Sequence, residues 1–542
     1  MDRSISLLEK KRLKFKPVVP RLLQDLRFIT FQKEQKTEAT GNKKEIEKHF
    51  PKTYGRSLIY ARAGEGQLTR PLKVGVVLSG GQAAGGHNVI AGLFDALKSF
   101  HHESVLYGFL NGPIGVVEGK FEALSEDRIS HVRNLGGFDL IGSGRTKIET
   151  EEQLSKSMSV FLKMGLDGVV IIGGDDSNTN AALLAEYCLS KGCATKVVGV
   201  PKTIDGDLKN DHVEVSFGFD TACKTYAEMI GNIERDARSA KKYTHFIKLM
   251  GRSASHIALE CALLTRPNMT LIGEEIYEKK RTLQAITEEI ADLIEQRKGD
   301  YGVILVPEGL IEFIPEIKEL IEELNLLLSL KEKEVEPEEK LNRAFLSLSP
   351  KSKETLSYFP KDIQLQLLID RDPHGNVAVS HIQSEKLLSF LVEMELKKRE
   401  YVGQFNPIHH FFGYEGRSGF PSNFDATYCN ALGIAAALLI KEGFTGYMSA
   451  ISHLNKPPLE WGVCGVPITS LMNIEKRKGK RKPVIRKALV DLKGSVFKSF
   501  ERVRERWKLE DHYLYPGPIQ FGSEEEGSFE IFIVITCISH KI

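Results

Sequence analysis

Gly168-Val169-Val170-Ile171-Ile172-Gly173-Gly174-Asp175-Asp176-Ser177 is the stretch on which the reading of this chain turns. An unbroken apolar run of strand length fits a strand buried on both faces, as in a parallel sheet covered by helices. Two glycines end it, two carboxylates follow, and Ser177-Asn178-Thr179-Asn180 leads into a helical pattern. The same succession recurs. Leu72–Leu78 runs into Ser79-Gly80-Gly81, and Lys196–Val200 into Pro201-Lys202-Thr203-Ile204-Asp205-Gly206-Asp207. Thr244–Leu249 runs into Met250-Gly251-Arg252, and Gly302–Val306 into Pro307-Glu308-Gly309. Helical stretches at Val89–Lys98, Thr221–Ser239 and Thr282–Gln296 lie between them. Strands alternating with helices predict an α/β fold of two Rossmann-like domains with largely parallel sheets. In such sheets ligands bind at the carboxyl ends of the strands, where this sequence concentrates glycine and charge.

Working outward, residues 1–70 are polar and read as an N-terminal extension packed on the main body. Two α/β domains follow, 71–245 and 246–542, with the chain crossing between them. A charged helical insertion at 311–400 is punctuated by Pro315, Pro337, Pro350 and Pro360. Its segment EELNLLLSLKEKE reads as an exposed or inter-domain helix, and α/β signals resume near Gly413. No internal repeat is visible. The densest apolar run, Ile531–Ile535, has the length of a strand.

Composition excludes several classes. Of 542 residues, Lys and Arg number 74 and Asp and Glu 72, leaving a formal net charge of +2. That balance gives no support for a nucleic-acid partner. No stretch approaches the ~20 apolar residues of a membrane-spanning helix, and the N-terminus lacks the apolar core of a secretory signal. Seven cysteines without a C-x-x-C pair match neither a disulfide framework nor a zinc site. A cytoplasmic protein with reduced thiols is the expectation.

The loops suggest chemistry to different degrees. Ser79–Asn88 is rich in glycine, which lets backbone N–H groups approach an anion at a helix start, although a tight βα turn explains it equally simply. The pair Asp175-Asp176 exceeds what helix capping requires, and a hard cation such as Mg²⁺ takes carboxylate oxygens. Asp205 is a candidate general base and Lys202 a candidate counter-charge for a transferring group. Arg252 and Arg417 suit phosphate recognition. Glu308 at a strand end can accept hydrogen bonds from sugar hydroxyls, and Tyr414 with Arg417 can frame a phosphate. The basic run Lys476–Lys487 reads more simply as a solvated face or turn than as an anion pocket. His409-His410 reads as structural.

Taken in order, Gly173–Ser177, Thr203-Ile204-Asp205, Met250-Gly251-Arg252 and Pro307-Glu308-Gly309 resemble the signature series of the phosphofructokinase superfamily over residues 71–310 and again around 413–490. ATP users of that family read GGDGS and GTIDND. This chain places Asp176 and Lys202 where those have glycine, which resembles the family's long, pyrophosphate-using branch. The resemblance implies phosphoryl transfer from pyrophosphate to the C1 hydroxyl of fructose 6-phosphate, reversibly, in glycolysis and gluconeogenesis. It implies Asp175 as the Mg²⁺ ligand and Asp205 as the base. Gly80, Gly81, Arg145 and Lys202 would hold pyrophosphate, and Asp176 would exclude the α-phosphate of ATP by bulk and charge. Thr203, Asp205, Met250, Gly251, Arg252, Glu308, Tyr414 and Arg417 would bind the sugar phosphate. Lys242 and Tyr243 would reach a neighbouring subunit's sugar site, which implies a homodimer. Gln82 and His87 depart from the residues common in ATP users. An ATP-dependent enzyme and a silent regulatory paralogue are the alternatives, the second disfavoured by the presence of Asp175, Asp205 and Asp207. A lipid or NAD kinase can share a Gly-Gly-Asp loop, but not the whole series.

Overall fold

Branched apolar residues form the strands expected of them. Lys73–Ser79, Gly168–Gly173 and Lys196–Pro201 are buried on both faces over nearly their whole length. The protein is described from a computed structural model covering residues 5–65, 70–297, 299–327, 336–371, 377–477 and 480–519. The run Ile531–Ile535 and the end of the EELNLLLSLKEKE segment lie outside the described residues. The chain divides into two compact units, one built from Met1–Ala222 with Tyr414–Ala488, the other from Cys223–Gly413 with Leu489–Pro518.

In the first unit one sheet runs, edge to edge, Ile29–Lys36, Ser57–Ala63, Gly462–Pro467, Tyr447–Ser452, Lys196–Pro201, Gly168–Gly173, Lys73–Ser79, Val105–Phe109 and Phe121–Ala123. The five strands from Tyr447–Ser452 to Val105–Phe109 are parallel, and the outer pairings are antiparallel. The N-terminal extension supplies two strands at one edge of this sheet. From Lys73–Ser79 the chain goes first to Val105–Phe109 on one side, then to Gly168–Gly173 on the other. That reversal is the switch point at which open α/β sheets form a crevice. Register aligns the strand ends: Leu78 pairs with Ile172, Gly173 with Pro201, and Ser79 with Gly144 of the short strand Ser143–Gly144.

Helices Gly86–Phe100 and Asn423–Lys441 of this unit cross in backbone contact. A Cβ on Gly433 would lie 2.1 Å from the Val89 carbonyl oxygen, and one on Gly92 2.2 Å from that of Asn430. Gly433→Ala should therefore lower stability by roughly 1–3 kcal/mol through overpacking, read as a lower denaturant midpoint. Asn423–Lys441 is long and apolar enough to cross a membrane by composition, and its apolar window is wholly buried inside the protein.

Beside that crossing sits a buried acid pair. Asp425 accepts hydrogen bonds from the backbone N–H groups of Gly218 (3.1 Å) and Thr221 (2.9 Å), and Asp220 accepts one from the Ser422 hydroxyl. Burial, then the charge of Asp220, pushes the Asp425 carboxyl up to about 7. The folded pair thus keeps a proton that an unfolded carboxyl releases near pH ~4. Its contribution to stability is complete below that point and is lost as pH rises through about 7. The thermal midpoint should fall across this window, and Asp220→Asn should flatten the fall.

In the second unit Met269–Thr270, Gly302–Pro307, Thr244–Leu249 and Pro407–Phe412 form a wholly parallel sheet. The helical insertion packs onto this unit's own core. Helix Pro315–Leu327 buries Ile317, Leu320, Ile321 and Leu324 in that core, while within the described part of the EELNLLLSLKEKE segment Glu322 and Leu326 are exposed. Lys248 on the central strand pairs with Glu385 of helix Ser384–Lys398 at 3.6 Å, both nearly inaccessible.

Candidate active site

In the first unit three strand ends meet. After Lys73–Ser79 the backbone turns at Gly80 with φ of +87°, a conformation that favours glycine. The turn is tied down on both sides: the Gly80 N–H donates to the Gly144 carbonyl (2.9 Å), and the Ser143 hydroxyl donates to the Gly80 carbonyl (2.6 Å). The Ser177 hydroxyl donates to that of Ser79 at 2.7 Å, joining the first loop to the second. A Cβ on Gly81 would sit 2.4 Å from a guanidinium nitrogen of Arg417, so the loop and this arginine are in close contact.

Gly174 caps helix Asp175–Ser190, whose first turn carries Asp175 and Asp176. Acidic residues suit the positive end of a helix. Asn178 locks the loop, donating to the Gly173 carbonyl at 2.6 Å and to that of Val200 at 3.3 Å. Asp176 is held by Lys147, Nζ to Oδ2 2.9 Å, a pairing that sequence reasoning missed.

The third loop begins at Lys202, whose N–H donates to the Gly173 carbonyl at 3.0 Å. Its ammonium is buried and donates to the Gly81 carbonyl at 2.5 Å. Burial, then the nearby Arg417, pulls it down to about 8, against the opposite pull of Asp205 and Asp175. Asp205 follows a turn in which its N–H donates to the Thr203 hydroxyl at 3.1 Å. Asp207 is buried, and burial together with Asp205 pushes its carboxyl up to about 7. Arg417 donates to Gln82 at 2.8 Å and its guanidinium carbon lies 5.1 Å from the Tyr414 ring centroid. Gln82, read only as a family departure, orients this arginine.

The basic run is mostly the solvated face expected of it, Lys476, Lys480, Arg481 and Arg486 being exposed, and it departs from that only at its end. Met472–Arg477 and Lys480–Ile485 pair as an antiparallel ribbon, with Arg481 and Lys482 on surface carboxylates. Lys487, just beyond it, enters the acidic cluster at 3.6 Å from Asp207 and 4.0 Å from Asp175.

The remaining expected residues lie in the second unit. The Gly251 N–H donates to a buried Glu308 carboxylate oxygen at 2.9 Å, with Gly251 at φ +126°. A Cβ on Gly309 would meet the Arg252 carbonyl at 1.8 Å, so the Met-Gly-Arg and Pro-Glu-Gly loops interlock. Met250 donates its N–H to Phe412 at 2.9 Å. Lys242 and Tyr243 do not join this group. They precede the strand Thr244–Leu249, whereas Met250–Arg252 follow it, a separation of about 20 Å at ~3.3 Å per residue.

A glycine turn, an acidic helix start and a Lys-Thr-Ile-Asp turn are gathered at the switch point of a parallel sheet, where α/β enzymes of this architecture bind their ligands. The phosphofructokinase family model matches residues 73–337. A pyrophosphate–fructose 6-phosphate 1-phosphotransferase of Treponema pallidum is 52% identical over 96% of this chain and 94% of its own length. One from Entamoeba histolytica is 50% identical over 96% and 97%. A crystal structure of a pyrophosphate-dependent phosphofructokinase from Nitrosospira multiformis aligns at TM-score 0.52 and 18% identity, covering 74% of this chain and 84% of its own, and shares the fold. The chain belongs to the phosphofructokinase family.

Proposed function

We propose that this protein transfers a phosphoryl group from pyrophosphate to the C1 hydroxyl of fructose 6-phosphate, giving fructose 1,6-bisphosphate and phosphate. The observation that carries this reading is the pair of charged side chains flanking the candidate metal ligand. Asp176 is anchored by Lys147 at 2.9 Å, and Lys202 is buried against the Gly81 carbonyl. The first presents bulk and negative charge where ATP would need room for its α-phosphate, and the second offers a cation to a small, highly charged donor. Arg145 and the Gly81 backbone N–H, next to the turn fixed at Gly80, complete the donor contacts. Asp205 takes the proton of the attacking hydroxyl, and phosphate leaves.

The donor set suits Mg²⁺. Among the described residues no three His, Cys, Asp or Glu side chains form a closed metal cage. Mg²⁺ does not require one, because it is commonly held by one or two carboxylates together with substrate phosphates. Asp175 is the protein ligand in this reading. When bound, Mg²⁺ neutralises the phosphoryl oxygens.

In this reading Met250, Gly251, Arg252 and Glu308, whose loops interlock, bind the sugar phosphate. Lys242 and Tyr243 lie at the opposite end of strand Thr244–Leu249 from Met250–Arg252, which supports their serving the sugar site of a neighbouring subunit. The reading therefore includes a homodimer with shared sugar sites, which the oligomeric state in solution would test. Six described cysteines are buried as free thiols, in keeping with a cytoplasmic protein.

The test is a single assay of fructose 6-phosphate phosphorylation comparing pyrophosphate with ATP, with and without chelation of Mg²⁺. Turnover with pyrophosphate and Mg²⁺ alone is expected. Equal or better turnover with ATP would refute the donor assignment.

A further inference from the structure

A buried arginine of the N-terminal extension underlies the loop that carries Arg417. Helix Leu7–Leu13 opens on a capping box in which Ser6 and Glu9 each accept the other's N–H. Near its end Arg12 turns inward and is 1% exposed. Its guanidinium forks between two segments far apart in sequence. One arm donates to the Asn423 side-chain oxygen at 2.6 Å, and the other to the carbonyls of Pro421 at 2.6 Å and Ser422 at 3.4 Å. Nε donates to the Asn134 carbonyl at 3.3 Å. Taking a guanidinium out of water is costly unless its donors are used, and its rigid fork lets one side chain tie two segments together.

Both segments lead to the glycine turn after strand Lys73–Ser79. The Asn134 side chain donates to the Phe15 carbonyl at 2.7 Å and accepts from Asn88 at 2.7 Å, in the first turn of helix Gly86–Phe100. A Cβ on Gly136 would lie 2.2 Å from the Gly419 carbonyl oxygen, so the turn after Asn134 rests on the chain just past Arg417. Beyond that turn come Ser143, bonded to Gly80, and then Arg145. The two arginines meet again at Gly81, where a Cβ would lie 2.4 Å from a guanidinium nitrogen of Arg417 and 3.9 Å from one of Arg145. The Lys202 ammonium donates to the carbonyl of the same glycine. Three like charges gathered on one turn repel one another, so the backbone that carries them has to be braced.

We propose that Arg12 is a positioning residue for phosphoryl transfer: by tying residues 421–423 to Asn134 it holds Arg417 in register with Arg145 at the Gly80–Gly81 turn. The N-terminal extension is thereby a working part of the site rather than a cover on the main body. This rests on the proposed function for the identity of the donor, but not for the brace itself. Arg12 acts through the loop of Arg417 and touches no reacting atom.

The experiment is a double-mutant cycle in the full chain: wild type, Arg12→Met, Arg417→Met and the two combined. Arg12→Met should raise KM for pyrophosphate roughly tenfold or more, because small displacements of a binding group are costly. In the Arg417→Met background the same substitution should change that KM by less than about twofold, since the group it positions is already gone. A residue that only supports the fold would lower kcat through loss of folded enzyme, leave KM alone and cost the same in both backgrounds, and thermal melting measures that loss directly. Arg12→Lys keeps the charge but offers one nitrogen in place of the fork, so it should recover little of the lost affinity. Should Arg12→Met fail to fold, Arg12→Lys takes its place in the cycle. An unchanged KM in the folded variant, or equal costs with and without Arg417, overturns the inference. If wild type preferred ATP, the functional reading would fall, and the same cycle on KM for ATP would still decide Arg12.

Discussion

Asp176→Gly combined with Lys202→Gly should abolish most pyrophosphate use and open the site to ATP. Lys202 is the larger loss. Its ammonium is buried and aimed at the glycine turn, and a cation so placed stabilises the charge of the transferring group by about 3–4 kcal/mol, a factor of 10² to 10³ in kcat. Asp176 is expected to act through exclusion. Its carboxylate occupies the helix start beside Asp175 and is fixed there by Lys147. Removing it frees volume and also releases the Lys147 ammonium, leaving a cation where an α-phosphate would arrive. Asp176→Gly alone should therefore admit ATP without efficient use of it, and the double variant should reverse the ratio of kcat/KM for the two donors. The loss of an acid from the first helical turn costs about 0.3–1 kcal/mol, too little to confuse the assay with unfolding. A double variant that kept the donor ratio of the wild type would show that neither side chain decides the donor.

The sequence made the strand ends legible because burial and backbone chemistry are local there. A buried strand needs a run such as Val169–Ile172, and the turn after it needs glycine, so strand, turn and Asp175 could be placed from one short window. Helix starts were less legible. The first-loop helix begins at Gly86 rather than Val89, because its buried Gly-His-Asn start looks like loop by propensity. Contacts between distant segments were not legible at all. Lys487 belongs with Asp175 and Asp207 only because a ribbon nearly three hundred residues downstream returns to helix Asp175–Ser190. In a window of its own it is one of several lysines, and a solvated face was the simpler reading. Gln82 holding Arg417 and Lys147 holding Asp176 are pairings of the same kind. Arg12 was equally hidden within the polar extension. It is buried, donates to the carbonyls of Asn134 (3.3 Å) and Pro421 (2.6 Å) and to the Asn423 side chain (2.6 Å), and so pins the N-terminal helix to the segment just after Arg417.

Asp205→Asn should cut kcat by about 10² to 10⁴, the range for losing a general base, while KM for pyrophosphate changes little. Two carboxylates, Asp205 and Asp207, are candidates for this role, and their surroundings differ. Asp207 is buried, its backbone carbonyl is taken by the Ala488 N–H, and Lys487 lies 3.6 Å from its side chain. Its surroundings make it a group that shapes the charge of the site. Asp205 is only partly buried and sits one turn beyond the Lys202 backbone anchor on Gly173, in a loop stiffened by the Thr203 hydroxyl and by the Ser216 hydroxyl on the Thr203 carbonyl (3.1 Å). A base must reach solvent or substrate and must not drift, and Asp205 meets both conditions. Asparagine keeps its shape and its turn, so the fold and donor binding should survive while proton removal fails. Asp207→Asn, by contrast, should act mainly on metal and donor affinity. Steady-state rates with saturating pyrophosphate and fructose 6-phosphate discriminate the two: if Asp205→Asn retained more than about a tenth of the wild-type kcat, the proton would have to leave by another route.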